Sequence, residues 1–317
     1  MERHMKNKNF DVLVVGELNI DLVLWNVPMP ENEKEKLAED MRFAMGSSSA
    51  ITAHNLSTVG AKVGFIGKAG NDNFGHFMIE QLEEGGVDTS HIIVDDSVKT
   101  GATIVLANPP KKALLTYMGA MTALTIEDID WKFVQQARHL HLGCFFLQTG
   151  IRNDVWKLFG EAKKYGLTTS MDTNWDPEEK WGDDLRQALK YTDIFLPNDD
   201  EALRITQTNT VEKALDELNK TVKIVAVKQG PKGAILKTNN KLYTHKIFKV
   251  EAIETTGAGD SFNAGFLKKY LDGADWQECL RFGNACGALA VTAIGGTGAF
   301  KDRKLVPSKL AEIQNNG

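Results

Sequence analysis

At 317 residues the chain is longer than an average domain, yet one α/β domain of this size is ordinary. A hydrophobic content of 42% and a charged content of 25% are those of a soluble globular chain with enough apolar material for a sizeable core. The net charge of −5, with Lys and Arg dispersed, argues against a nucleic-acid footprint or a polybasic membrane patch and points to small-molecule partners.

Residues 1–10 are charged and polar, and the apolar run after them is only a strand long, so neither a signal peptide nor a membrane span is expected. Short β-branched runs follow at 11–15, 63–66, 140–142, 167–171, 194–196 and 223–227, and each reads as a buried strand. Between them fall helical patterns at 76–84, 155–164, 185–190 and 212–219, and a further helix is read at 276–293. That βαβ rhythm predicts an α/β fold, a doubly wound and mostly parallel sheet flanked by helices, with functional residues at the carboxyl ends of its strands. Asn19, Asp21, Asp172, Asn174, Asn198 and Glu201 all follow predicted strands closely. Two stretches, 18–45 and 98–120, break the rhythm with strand-like patches and Pro28, Pro30, Pro109 and Pro110; they are read as a small β lid on a single domain spanning 1–317. Such a lid would keep water out of the site. Its exposed sheet could pair with a second subunit, which makes a homodimer through the lid an expectation. Cys144, Cys279 and Cys286 lack metal-type spacing and suit small buried residues in a reducing cytoplasm.

The most informative segment is Glu254-Thr-Thr-Gly-Ala-Gly-Asp-Ser-Phe-Asn-Ala-Gly-Phe266. Small residues Gly257, Ala258 and Gly259 stand just before Asp260, and Phe262, Phe266 and Tyr270 then recur at helical spacing. This is the layout of a helix N-terminus left open to an anion, since the first N–H groups of a helix are unpaired and its dipole adds about half a positive charge there. An acid in the first turn also suits the dipole without any function. The functional reading is phosphoryl transfer, with Asp260 removing a proton from an alcohol and Gly257–Gly259 cradling the transferring phosphate.

The segment Thr255-Thr-Gly-Ala-Gly-Asp-Ser-Phe262 resembles the C-terminal signature of the ribokinase-like carbohydrate kinases, the PfkB family. Gly16-Glu-Leu-Asn-Ile-Asp21, Gly60-Ala-Lys-Val-Gly-Phe-Ile-Gly67 with Gly70-Asn-Asp-Asn-Phe-Gly75, and Asn198-Asp-Asp-Glu201 resemble further motifs of that family, in the right order from about residue 10 to residue 300. The resemblance implies ATP as phosphate donor, Mg²⁺ as cofactor, and a sugar acceptor held by Asn19, Asp21, Gly46 and Ser47. It implies nucleotide contacts at Lys228, Gly230, Gly233 and Asn284, and Mg²⁺ organised, largely through water, by Asn198 and Glu201. Taken as residues alone, Asn19 and Asp21 also fit a turn capping a strand, and Asn198 with Glu201 fits a helix capping pair.

The sequence departs from the family pattern at several points. Ser47, Ser48 and Ser49 replace a glycine-rich continuation, Ile51 stands where asparagine is common, and Trp175 replaces an arginine, which favours a neutral acceptor. Glu254 replaces the aspartate of members with a monovalent-cation site, leaving K⁺ activation open. No Walker A motif is present, no G-x-G-x-x-G follows the first strand, and the histidines lack zinc spacing. The leading function is thus ATP-dependent phosphorylation of a small sugar; the alternatives are a nucleoside kinase of the same family, with apolar lid residues stacking on a base, or a non-catalytic binding regulator.

Overall fold

Strand β1 (Phe10–Val15) lies inside the molecule, with Val12 to Val15 fully buried. Its pleat sends Leu13 and Val15 into one apolar core and Val12 and Val14 into another, so the strand is covered on both faces and carries no polar alternation. The structure, a computed structural model, describes residues 8–108, 111–239 and 241–315; most of the N-terminal polar stretch, Pro109 and Pro110 lie outside that set. After β1 the chain forms β2 (Asn19–Trp25), β3 (Asp40–Met45), β4 (Val63–Gly70), β5 (Asp88–Asp95), β6 (Gly101–Asn108) and β7 (Lys111–Tyr117). It continues with β8 (Ala137–Leu142), β9 (Thr168–Met171), β10 (Ile194–Phe195), β11 (Ile224–Lys228), β12 (Ala234–Thr238) and β13 (Lys241–His245).

Nine strands make the main sheet in the order β13-β12-β11-β10-β9-β8-β1-β4-β5. Pairing is parallel from β11 across to β5, and the β11–β12 and β12–β13 pairs are antiparallel, so β12 alone runs against the other strands. One core holds Val155, Leu158 and Phe159 of the helix Val155–Lys164. The opposite core holds Leu56, Phe262 and Phe266, so helices cover both faces of the sheet. Full burial of a residue such as Phe266 stabilises the fold by roughly 2–3 kcal/mol before entropy is counted. A second sheet, ordered β3-β2-β6-β7, is built from the two stretches that lacked helical periodicity.

The helix Ala258–Leu271 packs closely on the helix Trp276–Ala290 because glycines stand at the crossing. A Cβ on Gly265 would lie 2.7 Å from Cys286 Sγ, and one on Gly283 would lie 2.9 Å from the Phe262 ring. Gly265, Gly283 and Cys286 therefore bring the helix that carries Asp260 hard against its neighbour and fix the level of its N-terminal end. No helix among the described residues is long and apolar enough to cross a membrane.

Candidate active site

Gly257 is the residue before the helix Ala258–Leu271, in the left-handed region at φ 74, with no side chain to cap the helix. Any side chain there would be strained, and its Cβ would come within 2.4 Å of Gly296 Cα. Fully buried Asn55 braces this tip by donating to Ser261 Oγ and to the Gly296 carbonyl, each at 2.9 Å. Among the described residues nothing accepts from the N–H groups of Gly257, Gly259 or Asp260, whereas the Ala258 N–H reaches the Thr255 carbonyl at 3.3 Å. The tip is thus a set of free donors at the positive end of a helix dipole.

Asp260 stands half-buried in the first turn, and Ser48 Oγ donates to its Oδ1. Burial pushes the Asp260 carboxyl up to about 7; nearby Asp172 and Glu17 add to the rise, while Ser48 and Lys228 oppose it. Across the cleft Lys228 Nζ donates to Asp172 Oδ2 at 2.6 Å and to Asn263 Oδ1 at 3.3 Å, and Asn263 Nδ2 donates to Asp172. Burial works to raise Asp172, but the Lys228 ammonium and the Asn263 amide outweigh it and hold the carboxyl below its ordinary range. Burial likewise opposes the Lys228 charge, and Asp172 and Glu201 prevail, so the ammonium is held above its ordinary value. An ion pair this buried is sustained only by its further hydrogen bonds.

Asn198 and Glu201 form a reciprocal capping box on the helix Asp199–Thr206. Asn198 Oδ1 accepts the Glu201 N–H at 2.8 Å, and Glu201 Oε2 accepts the Asn198 N–H at 3.0 Å. The capping reading is therefore realised, and the same two side chains also line the cleft beside Asp199 and Asp200. Burial pushes Glu201 up to about 7, with Asp172 adding to the rise. This set of hard oxygen donors suits Mg²⁺. Among the described residues no three His, Cys, Asp or Glu side chains converge as a direct metal cage.

On the other side of the cleft, Asn19 Nδ2 donates to Asp21 Oδ1 at 3.2 Å and to Thr103 Oγ1 at 3.4 Å. Burial pushes Asp21 up to about 7; Glu254 adds to the rise and Lys112 opposes it. Gly46 lies behind the pair, where a Cβ would meet Asp21 Oδ1 at 2.3 Å and Asn19 Nδ2 at 2.5 Å. This half of the cleft encloses about 560 Å³. It continues past Lys228, Gly230, Thr255 and Gly259 into an apolar cavity of about 770 Å³ that also touches Phe248, Val250, Asn284 and Val291.

A sequence description of the pfkB family of carbohydrate kinases matches residues 9–303. The chain belongs to that family. It is 32% identical over 293 residues to the ATP-dependent ribose-1-phosphate kinase of Halopiger xanaduensis, covering 91% of this chain and 94% of that one. Among solved structures it matches an E. coli protein assigned as ribokinase II, bound to ATP and Mg²⁺, with a TM-score of 0.84, 26% identity, and 96% and 99% of the two chains covered. Arabidopsis thaliana ribokinase complexed with ribose and ATP gives a TM-score of 0.81 at 25% identity, with 95% and 98% covered.

In this carbohydrate kinase one cleft collects Asp21, Ser47, Asn198, Glu201, Lys228, Gly230, Gly257, Gly259 and Asp260. Ala258, Gly233 and Asn284 line the apolar cavity. Gly233, at φ 97, is required mainly by the close His245 carbonyl, and Asn284 Nδ2 donates to that same carbonyl at 2.9 Å. Glu254 lines neither half; its Oε2 accepts the Gly295 N–H at 2.8 Å. Trp175 packs edge-on against Trp181 and lies outside the cleft lining. Sequence reasoning missed the Asp172–Lys228–Asn263 network, buried Glu17 and Lys112. Asp172, an acid closely following a buried strand, and Lys228 each stood out in the sequence, but nothing there signalled that they meet through Asn263.

Proposed function

We propose that this kinase transfers the γ-phosphate of ATP to a hydroxyl of a small sugar, with Asp260 as general base and Gly257–Gly259 as anion hole. The observation that carries the reading is the placement of a carboxylate on a bare helix tip where the two halves of the cleft meet. The Asp260 carboxylate takes the acceptor's O–H proton as the acceptor oxygen bonds to the γ-phosphorus. The bond from that phosphorus to the β,γ-bridging oxygen breaks, and ADP leaves with the electron pair. Asn19, Asp21, Gly46 and Ser47 hold the sugar, while Lys228, Gly230, Gly233 and Asn284 shape the nucleotide side. Asn198 and Glu201 would hold Mg²⁺ through water, where the ion would supply positive charge against the phosphates. Residues 18–45 and 98–120 act as the lid of a single domain, and its outward side chains Phe43, Leu115 and Tyr117 offer a second copy a pairing surface. Three buried, unpaired cysteines fit a cytoplasmic protein.

Asp260→Asn tests the reading: turnover is expected to vanish while ATP affinity by calorimetry stays within about twofold. Retained turnover would remove Asp260 as the base.

One observation favours a second reading of the acceptor. Lys112, on β7, lines the cleft near Asp21 and supplies a cation that Trp175 does not. An acceptor carrying its own phosphate, as the name of the Halopiger xanaduensis relative gives for that protein, fits that cation. A panel of ribose, ribose 1-phosphate, fructose, 2-keto-3-deoxygluconate and adenosine separates neutral sugar, sugar phosphate and nucleoside. Running it in KCl and in NaCl tests whether Glu254 supports a K⁺ site.

A further inference from the structure

We propose that Ser48 is the positioning residue for the Asp260 carboxylate, holding one of its oxygens so that the other faces the acceptor hydroxyl. The inference rests on the reading of Asp260 as base.

The three consecutive serines that replace the family's glycines have separable tasks. Ser47 Oγ accepts the Ala50 N–H at 2.9 Å as the helix cap and donates to the Glu17 carbonyl at 2.6 Å. Fully buried Ser49 donates to the Glu17 carboxylate. Ser48 does neither. It is half-buried, lines the cleft, and directs its hydroxyl to Asp260 Oδ1. Asn174 Oδ1 lies 3.2 Å from the same hydroxyl oxygen. Asn174 is itself fixed by a left-handed backbone at φ 53 and by its N–H donating to Asp172 Oδ1 at 3.2 Å. The single Ser48 proton can serve only one of these two acceptors, and the nearer, charged Asp260 Oδ1 takes it.

A first-turn aspartate with no partner samples several rotamers, and only some aim an oxygen at the acceptor. Fixing Oδ1 removes that freedom in advance. The hydrogen bond also favours the ionised carboxylate, against the buried charges of Asp172 and Glu17 and together with Lys228, the charged groups that face Asp260 from the neighbouring strands and connections. Among the described residues no side chain donates to Oδ2, which leaves that oxygen for the proton.

The test compares wild type, Ser48→Ala and Ser48→Thr with MgATP and the most active acceptor of the panel. Ser48→Ala should lower kcat about tenfold, the effect of losing one hydrogen bond to a charged group, with KM for ATP within about twofold. The acidic limb of its pH–rate profile should move up by about one unit, and Ser48→Thr, which keeps the hydroxyl, should restore both. Carbon-13 NMR titration of aspartate-labelled protein, with the Asp260 signal identified from Asp260→Asn, reads the same shift without any acceptor. If the Asp260 titration in Ser48→Ala coincides with wild type, the proposal is overturned, whatever happens to kcat. Activity retained in Asp260→Asn would instead sink the base assignment, and the titration would still report the contact.

Discussion

The two halves of the cleft are built on different physics. Around Asp260 the lining is charged, with Asp21, Asp172, Glu201 and Lys228 partly or wholly buried among hydrogen-bond partners. Beyond Gly259 it is a larger, mostly apolar cavity shaped by Phe248, Val250 and Val291 around glycines. In the first half small displacements change protonation and charge, so its residues are expected to govern kcat and its pH dependence. In the second, shape governs, so changes there should fall on KM for ATP. The contrast also explains why Lys228 stands at the junction: its ammonium pairs with Asp172 while a Cβ on Gly259 would be 3.6 Å from its Nζ.

The largest expected effect breaks the charged half. Lys228→Met leaves Asp172 buried and unpaired, a cost of about 3–5 kcal/mol, and should lower kcat at least about a hundredfold while depressing the melting temperature. Adding Asp172→Asn should return much of the stability and little of the rate; coupled ADP assays and thermal melts read both. Next, with Asp260 as the proposed base and its carboxyl pushed up to about 7, kcat/KM should fall about tenfold per pH unit below that value and level off above it. A flat profile from pH 5 to pH 8 would contradict the charged picture. In the apolar half, Val291→Phe should raise KM for ATP about tenfold, the cost of about 1.4 kcal/mol of lost fit, with kcat within about twofold.

The smallest effect concerns stability. Because the folded Asp260 carboxyl is raised, the chain loses stability as pH climbs from about 4, where the unfolded carboxyl ionises, to about 7, where the folded one does. Asp260→Asn removes that penalty. It should therefore raise the melting temperature by about 2 °C at pH 8 and leave it unchanged near pH 4, measured against wild type at each pH.

Much of this was legible in the chain. The central strands were visible because both faces are buried and their side chains run continuously apolar, as in Val12–Val15. The helix Ser48–Thr58 was not predicted, since it is buried nearly all round and carries Ser49, Thr52, His54 and Asn55 inside, which erases any amphipathic stripe. The hairpin of β12 and β13 was missed for a different reason, namely the exposed side chains of β13 at the sheet's end. At the site, backbone-determined features were readable: glycines before an acid predict an open helix tip. The polar network was not, because Asp172, Lys228 and Asn263 meet only once three separate elements are folded together.

Gly46 carries a consequence for engineering. Its missing side chain leaves the space that Asp21 Oδ1 and Asn19 Nδ2 occupy, 2.3 and 2.5 Å from where a Cβ would sit. A saturation library at that position should return glycine alone among active clones. Redesign of acceptor preference would then have to go through Ile51, which shares the cleft wall but leaves the Asn19–Asp21 pair in place.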